Sequence, residues 1–282
     1  MTTDTPLPNS SLSTRLKSAL ILAPAVLLIL YFGGGSFAIL IAAMAGIAVF
    51  EWARMVMSGE TAMPRFLPHF SGILAGIGVA AAGLVDNPVS TLWLLLALCF
   101  LISSYSLSRE GPSVRTLVIG IIYIGFSADV MIWLRNVSDH GLYNMLTLLF
   151  IVWASDVSAY FSGKAIGGPK LAPVISPNKT WAGFFGSSVG AGIVAALMAL
   201  PWVTGPLSVT PIGGMGPVGY FIMGFVLAMF GQLGDLGKSI FKRHHGVKDT
   251  GSIIPGHGGV LDRIDALLLV ALIFGSMVRV LG

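Results

Sequence analysis

Asp235, Ser239 and Lys242, in "GDLGKSIFKR", stand at i, i+4 and i+7, so a helix through them presents a carboxylate, a hydroxyl and an ammonium on one face. That column suits a metal ion, with a phosphate oxygen bridging metal and lysine. The competing reading is a snorkelling helix end whose basic side chains reach for lipid headgroups, and for Lys238 alone it is the better one. A little further on, "IIPGHGGVLDRID" places Pro255 and three glycines around His257, just before another helix. The glycines free the backbone to curl, and its N–H groups fall near a helix start, where anions are favoured. Asp262 and Asp265 are three apart, with Arg263 beside them. Together with a facing Asp235, they form a donor set for a hard divalent cation that arrives with substrate phosphates. Alternatively, Arg263 neutralises both carboxylates in a local ion-pair cluster. His257 stands open as general base, metal ligand or hydrogen-bond donor to phosphate. Of the chain's 16 basic and 12 acidic residues, eight lie between Lys238 and Asp265.

Upstream, "VWASDVSAYFSGKAIGG" sets Asp156, Tyr160 and Lys164 at four-residue steps along one helix face. An ionisable group in a membrane helix is a functional candidate by default, because its desolvation is costly. The next segment, "PKLAPVISPNKTWAG", supplies Lys170, Ser176, Asn178, Lys179 and Thr180, with Trp181 as an interfacial anchor. Pro173 and Pro177 preclude a continuous helix there, leaving an ordered binding loop or a connector with anchoring lysines. Asp129 is either a satisfied structural group or part of a cavity. Glu51 and Arg54, three apart at a helix end, are expected to pair with each other.

The elements that position these residues are hydrophobic. A mean hydropathy of +0.88, with 10% charged residues, exceeds what one soluble core can bury, since soluble domains keep about a quarter of their residues charged. The expected fold is an all-α integral membrane protein with about nine transmembrane helices. They lie near residues 18–33, 36–53, 70–85, 89–106, 116–134, 144–163, 181–202, 216–237 and 264–281. With the N-terminus cytoplasmic and the C-terminus outside, 14 of the 16 basic residues fall on the inner side; only Arg135 and Arg279 do not. Inner-leaflet anchoring explains the pI near 9.3 without a nucleic-acid partner. The single cysteine, Cys99, permits no intramolecular disulfide. The chain divides into a polar tail over 1–17, transmembrane helices over 18–143, and a catalytic transmembrane region over 144–282.

The segment from Ser239 to Asp265 resembles the signature of the phosphatidate cytidylyltransferases, or CDP-diacylglycerol synthases: a serine, the Lys242–Arg243 pair, Lys248–Asp249, "PGHGG", "DR" and a last Asp. "SDVSAYFSGK", "ISPNKTWAG" and "GQLGDL" are similar to the family's other motifs. Two positions depart from it: Ala182 and Lys238 stand where the family often has Glu. The resemblance implies cytidylyl transfer from CTP to phosphatidic acid, giving CDP-diacylglycerol and pyrophosphate in phospholipid biosynthesis. It also implies Mg2+, possible K+, a homodimer, and a bacterial inner membrane location with the active site facing the cytoplasm. On this mapping Asp235 and Asp262 are the metal ligands, with Asp265 close by. Lys179, Lys242, Arg243, Lys248 and Arg263 offset phosphate charge, and Asp249 and His257 complete the catalytic set. Ser239 and the Gly258 and Gly259 amides orient phosphate oxygens, and Asp156, Tyr160, Ser176, Asn178 and Thr180 line the substrate site. A CTP-dependent lipid kinase would share this logic but release CDP. An ion-coupled transporter would use Asp129 and Asp156 as relays at mid-membrane depth.

Overall fold

The computed structural model describes residues 12–58, 66–85, 112–136, 138, 140–207, 209, 211–251, 253 and 258–281. Its helices are α1 (Leu12–Phe32), α2 (Gly34–Val56), α3 (Leu67–Val85), α4 (Pro112–Asn136), α5 (Gly141–Ala165), α6 (Trp181–Met198), α7 (Pro201–Leu207), α8 (Pro217–His244) and α9 (Leu261–Leu281). Among the described residues, six helices are long and apolar enough to cross a bilayer: α2, α4 from Arg115, α5, α6, α8 and α9. α1 and α3 hold shorter apolar stretches, Ala23–Phe32 and Leu67–Ala81. The span expected at 89–106 lies outside the described residues, as does Cys99. α1 begins at Leu12, inside the segment expected to be a polar tail.

Local chemistry sets the helix ends. Thr180 caps α6, its hydroxyl oxygen accepting from Gly183 N at 3.1 Å. Pro217 opens α8 in the first helical position, where a missing N–H costs nothing. Pro201, which cannot continue the α6 hydrogen-bond ladder, begins α7 instead.

Small residues let the helices approach closely, as expected where lipid supplies no hydrophobic drive between them. A Cβ at Gly224 of α8 would overlap Ala191 and Ala195 of α6. One at Gly186 or Gly190 of α6 would run into Ser162 or Ser158 of α5. α9 joins the two halves of the chain, packing on α8 as well as on α2 and α4.

The stretch expected to be an irregular binding loop is an antiparallel hairpin, β1 (Lys170–Ala172) and β2 (Ser176–Thr180), with Lys170 opposite Thr180 and Ala172 opposite Ser176. In a two-stranded ribbon both strands are edges, so Pro177 fits in β2 without breaking a central ladder. The hairpin is the one departure from an all-helical architecture among the described elements.

The bundle has two chemically different ends. At one, Arg135 at the close of α4 donates from Nε to Leu30 O (2.7 Å) and from Nη2 to Tyr31 O (2.8 Å), satisfying the last carbonyls of α1. There Asn136 exchanges hydrogen bonds with Gly34, and Arg279 lies 5.7 Å from the Trp133 ring centroid. At the other end lie Glu51, the hairpin, the close of α8 and the start of α9, so Arg135 and Arg279 are segregated from the cluster described next.

Candidate active site

Asp262 opens α9 and Asp265 follows one turn later, while Lys238 and Lys242 descend one face of α8. Lys238 Nζ lies 3.1 Å from Asp262 Oδ1 and also pairs with Asp265 Oδ2; Lys242 Nζ lies 3.0 Å from Asp262 Oδ1. Lysines of a different helix therefore neutralise both carboxylates. Lys238, 9% exposed, is an internal counter-ion and not a side chain reaching for headgroups.

The other oxygen of Asp262 is equally engaged. Oδ2 accepts from Thr250 N at 2.9 Å and from Gly259 N at 3.3 Å, and it lies 3.1 Å from the Thr250 hydroxyl. That hydroxyl is also 3.1 Å from Glu51 Oε2, so its single proton serves one carboxylate at a time. Thr250 is a site residue that neither its spacing nor the family signature singled out.

Glu51 does not pair with Arg54, which is exposed. Its carboxylate is 1% exposed and accepts from Val260 N (3.1 Å) and Leu261 N (2.9 Å), capping α9 from α2. The anion at this helix start thus belongs to the protein, and the Gly259 amide is taken up by Asp262 instead of standing open to a ligand. The nearby glycines have a steric reason as well. A Cβ at Gly251 or Gly259 would overlap the Glu51 carboxylate, and Gly258 has φ +84°.

Asp235, four residues before Ser239, turns to a different partner from Lys242. Its Oδ2 lies 2.6 Å from Lys179 Nζ at the end of the hairpin, and Lys179 also donates to Gln232 Oε1 at 2.8 Å. The trio expected to act as one column is therefore divided: Asp235 faces Lys179, while Lys242 faces Asp262. Ser239 is half-buried beside them on α8.

A polar cavity of about 500 Å3 opens beside this cluster, between α5, the hairpin, α6 and α8. Asp156, Tyr160, Asn178, Lys179, Thr180 and Asp235 all line it, so one cavity collects six residues read from separate motifs. Lys164 sits over the Tyr160 ring at 5.7 Å. Thr180 serves mainly as the cap of α6, and Ser176 pairs within the hairpin away from the cavity lining.

Further out, Arg243 Nε reaches Ile175 O at the hairpin turn, at 3.4 Å. Lys248, Asp249 and Arg263 are exposed and do not line the cavity. His257 lies outside the described residues. Among the described residues no three Asp, Glu, His or Cys side chains converge as a ready metal cage.

Six helices long and apolar enough to cross a bilayer, with a carboxylate–lysine cluster at one end, define a membrane-embedded protein with a buried charged site. The sequence matches the cytidylyltransferase family over residues 13–281, and the chain belongs to that family. It is 36% identical over 269 residues to a phosphatidate cytidylyltransferase of Brucella abortus, covering 93% of this chain and 91% of that protein. It is 34% identical to the one of Haemophilus influenzae, covering 91% of this chain and 94% of that protein. For the one of Bacillus subtilis the identity is 33%, with 91% and 93% covered.

Proposed function

We propose that this protein transfers the cytidylyl group of CTP to phosphatidic acid, releasing pyrophosphate and forming CDP-diacylglycerol for phospholipid synthesis. The observation that carries the reading is the cluster itself. Lys179, Asp235, Lys238, Lys242, Asp262 and Asp265 come from the hairpin, α8 and α9, and meet beside a 500 Å3 polar cavity. A nucleotide of polyanionic character needs both signs of charge at hand: ammonium groups for its oxygens and carboxylates for its accompanying cation.

In this reading CTP occupies the polar cavity, with Asn178, Tyr160 and Asp156 on its walls. A phosphatidate oxygen, already anionic, attacks the α-phosphorus; the new P–O bond forms as the bond to the pyrophosphate oxygen breaks. No side chain has to remove a proton from the nucleophile. Lys179, Lys242 and Arg243 offset charge on the phosphates, with Lys248 and Arg263 at the rim, and Ser239 orients a non-bridging oxygen. Asp249 and His257 complete the catalytic set in this reading.

The donor chemistry fits Mg2+, which takes one or two carboxylates and completes its shell with water and substrate phosphates, so no three-residue cage is needed. Asp235 and Asp262 would hold it, with Asp265 close by. Bound there, Mg2+ would supply Lewis-acid stabilisation of phosphate charge. A potassium ion fits less well, because the Lys238 ammonium already sits between Asp262 and Asp265. The cluster faces the cytoplasm of an inner membrane, where CTP is made, and the protein works as a homodimer.

The deciding experiment follows lipid product and pyrophosphate together in detergent-purified protein given phosphatidate, labelled CTP and Mg2+. CDP release with a phosphorylated lipid would point to a kinase instead. A transporter would leave CTP intact.

A further inference from the structure

A second opening lies across α8 from the polar cavity. α4 and α8 both pack on α9 but scarcely touch each other, and the gap between them is a cleft of about 290 Å3. Ile119 of α4 and Leu233 and Phe241 of α8 stand exposed at its rim. Trp52, Ile124, Leu261 and Leu268 are buried beneath. Among the described residues lining it, the charged ones are Lys238 and Asp265. The cleft is therefore apolar over most of its wall, and its charged lining is Lys238 with its partner Asp265, where an incoming phosphate would compete for the ammonium.

That shape selects its occupant. A nucleotide would find no partners for its ribose and base on these walls. A helix about 10 Å across would fill 290 Å3 with less than one turn, which excludes a docking helix. A single hydrocarbon chain with an anionic head matches both the apolar walls and the ammonium among them. We propose that this cleft is the acyl slot of the lipid substrate, holding one chain of phosphatidate between α4 and α8 and leading its phosphate to Lys238. The proposal rests on the cytidylyl-transfer reading and adds the route by which lipid reaches the centre.

Gly237 gives the test. It lines the cleft, and a Cβ added there meets nothing within 4 Å, so Gly237→Leu is tolerated by the backbone while its side chain occupies the slot. Purified Gly237→Leu is assayed with dioleoyl and dihexanoyl phosphatidate at saturating CTP. The expected result is a roughly tenfold higher KM for dioleoyl phosphatidate. Turnover of the dihexanoyl lipid and KM for CTP should stay at wild-type values, with Gly237→Ala intermediate. An unchanged dioleoyl KM, or equal loss on both lipids with a raised KM for CTP, overturns the slot.

A second measurement needs no variant. Dioleoyl-length phosphatidate bearing a mid-chain diazirine should label the wild-type protein at Ile119, Leu233 or Phe241. Unlabelled phosphatidate, but not phosphatidylcholine of the same chains, should suppress that labelling. Labelling on other helices, or equal competition by phosphatidylcholine, identifies ordinary surrounding lipid and sinks the proposal. A wild-type protein that forms no CDP-diacylglycerol from either lipid would overturn the cytidylyl reading, and the mapped label would still decide the slot.

Discussion

Glu51 Oε2 lies 2.9 Å from the backbone N–H of Leu261, 210 positions away in the chain. This buried carboxylate from the N-terminal half fixes the start of α9, and with it the height at which Asp262 and Asp265 face α8. The same carboxylate holds Thr250, which in turn binds Asp262, so the acidic start of α9 is braced from α2.

Glu51→Ala should leave the Val260 and Leu261 amides without acceptors and open a void beneath Gly251 and Gly259. About 3 kcal/mol of stability should be lost, from the cap and the unsatisfied donors together. Glu51→Gln keeps one acceptor oxygen and should recover part of that loss. Thermal unfolding in detergent ranks the three proteins; a Glu51→Ala midpoint equal to wild type would contradict the bracing role.

Asp235→Asn should remain folded, because the residue lines an open cavity and its amide still fits beside Lys179. CDP-diacylglycerol formation should drop by roughly a hundredfold or more, as expected when a charge-stabilising group is removed from a phosphoryl-type centre. Initial rates in a purified, thermally intact variant give the answer.

Lys238→Met tests the buried counter-ion. Asp265 would lose its ammonium partner and Asp262 would keep only Lys242, a loss of about 3–5 kcal/mol. Lys238→Arg preserves the charge and should fold, with altered kinetics. Yield and melting temperature separate the pair, and a Lys238→Met protein as stable as wild type would show that the carboxylates are neutralised by other means.

Metal removal should have unequal effects on activity and fold. EDTA should abolish turnover, yet shift the melting temperature little, because lysines already balance Asp235, Asp262 and Asp265 without any bound cation. Replacing potassium by choline in the assay should leave the rate unchanged, given the Lys238 ammonium between two of those acids. A strong potassium requirement would show that Lys238 moves aside during turnover.

The acids of the site were legible because an aspartate is conspicuous in an apolar chain, and because Asp262 and Asp265 sit one helical turn apart. Their partners were less so. Glu51 has a nearby Arg54 at pairing distance along a helix, and that local rule carried more weight than a contact across 210 positions, which leaves no trace in spacing. Lys238 did carry a signal: it lies three residues after Asp235 and four before Lys242, on the helix face of a site residue, but taken alone it looks like an interfacial lysine. The two prolines of 170–180 ruled out a helix correctly; they did not rule out a two-stranded ribbon, where a missing N–H can point outward. The hydropathy pattern located the long helices, while the polar cavity could not be foreseen, because it depends on how the hairpin folds back over α5 and α8.

One helix, α8, has the aqueous cavity on one flank and the greasy cleft on the other, with Asp235 and Lys238 a single turn apart between them. A wall that thin lets a water-soluble reactant and a bilayer-dwelling one touch without either leaving its own phase. It also sorts what is made: pyrophosphate drains toward water, the nucleotide-tagged lipid slides back among its neighbours, and neither product has to wait for the other's exit.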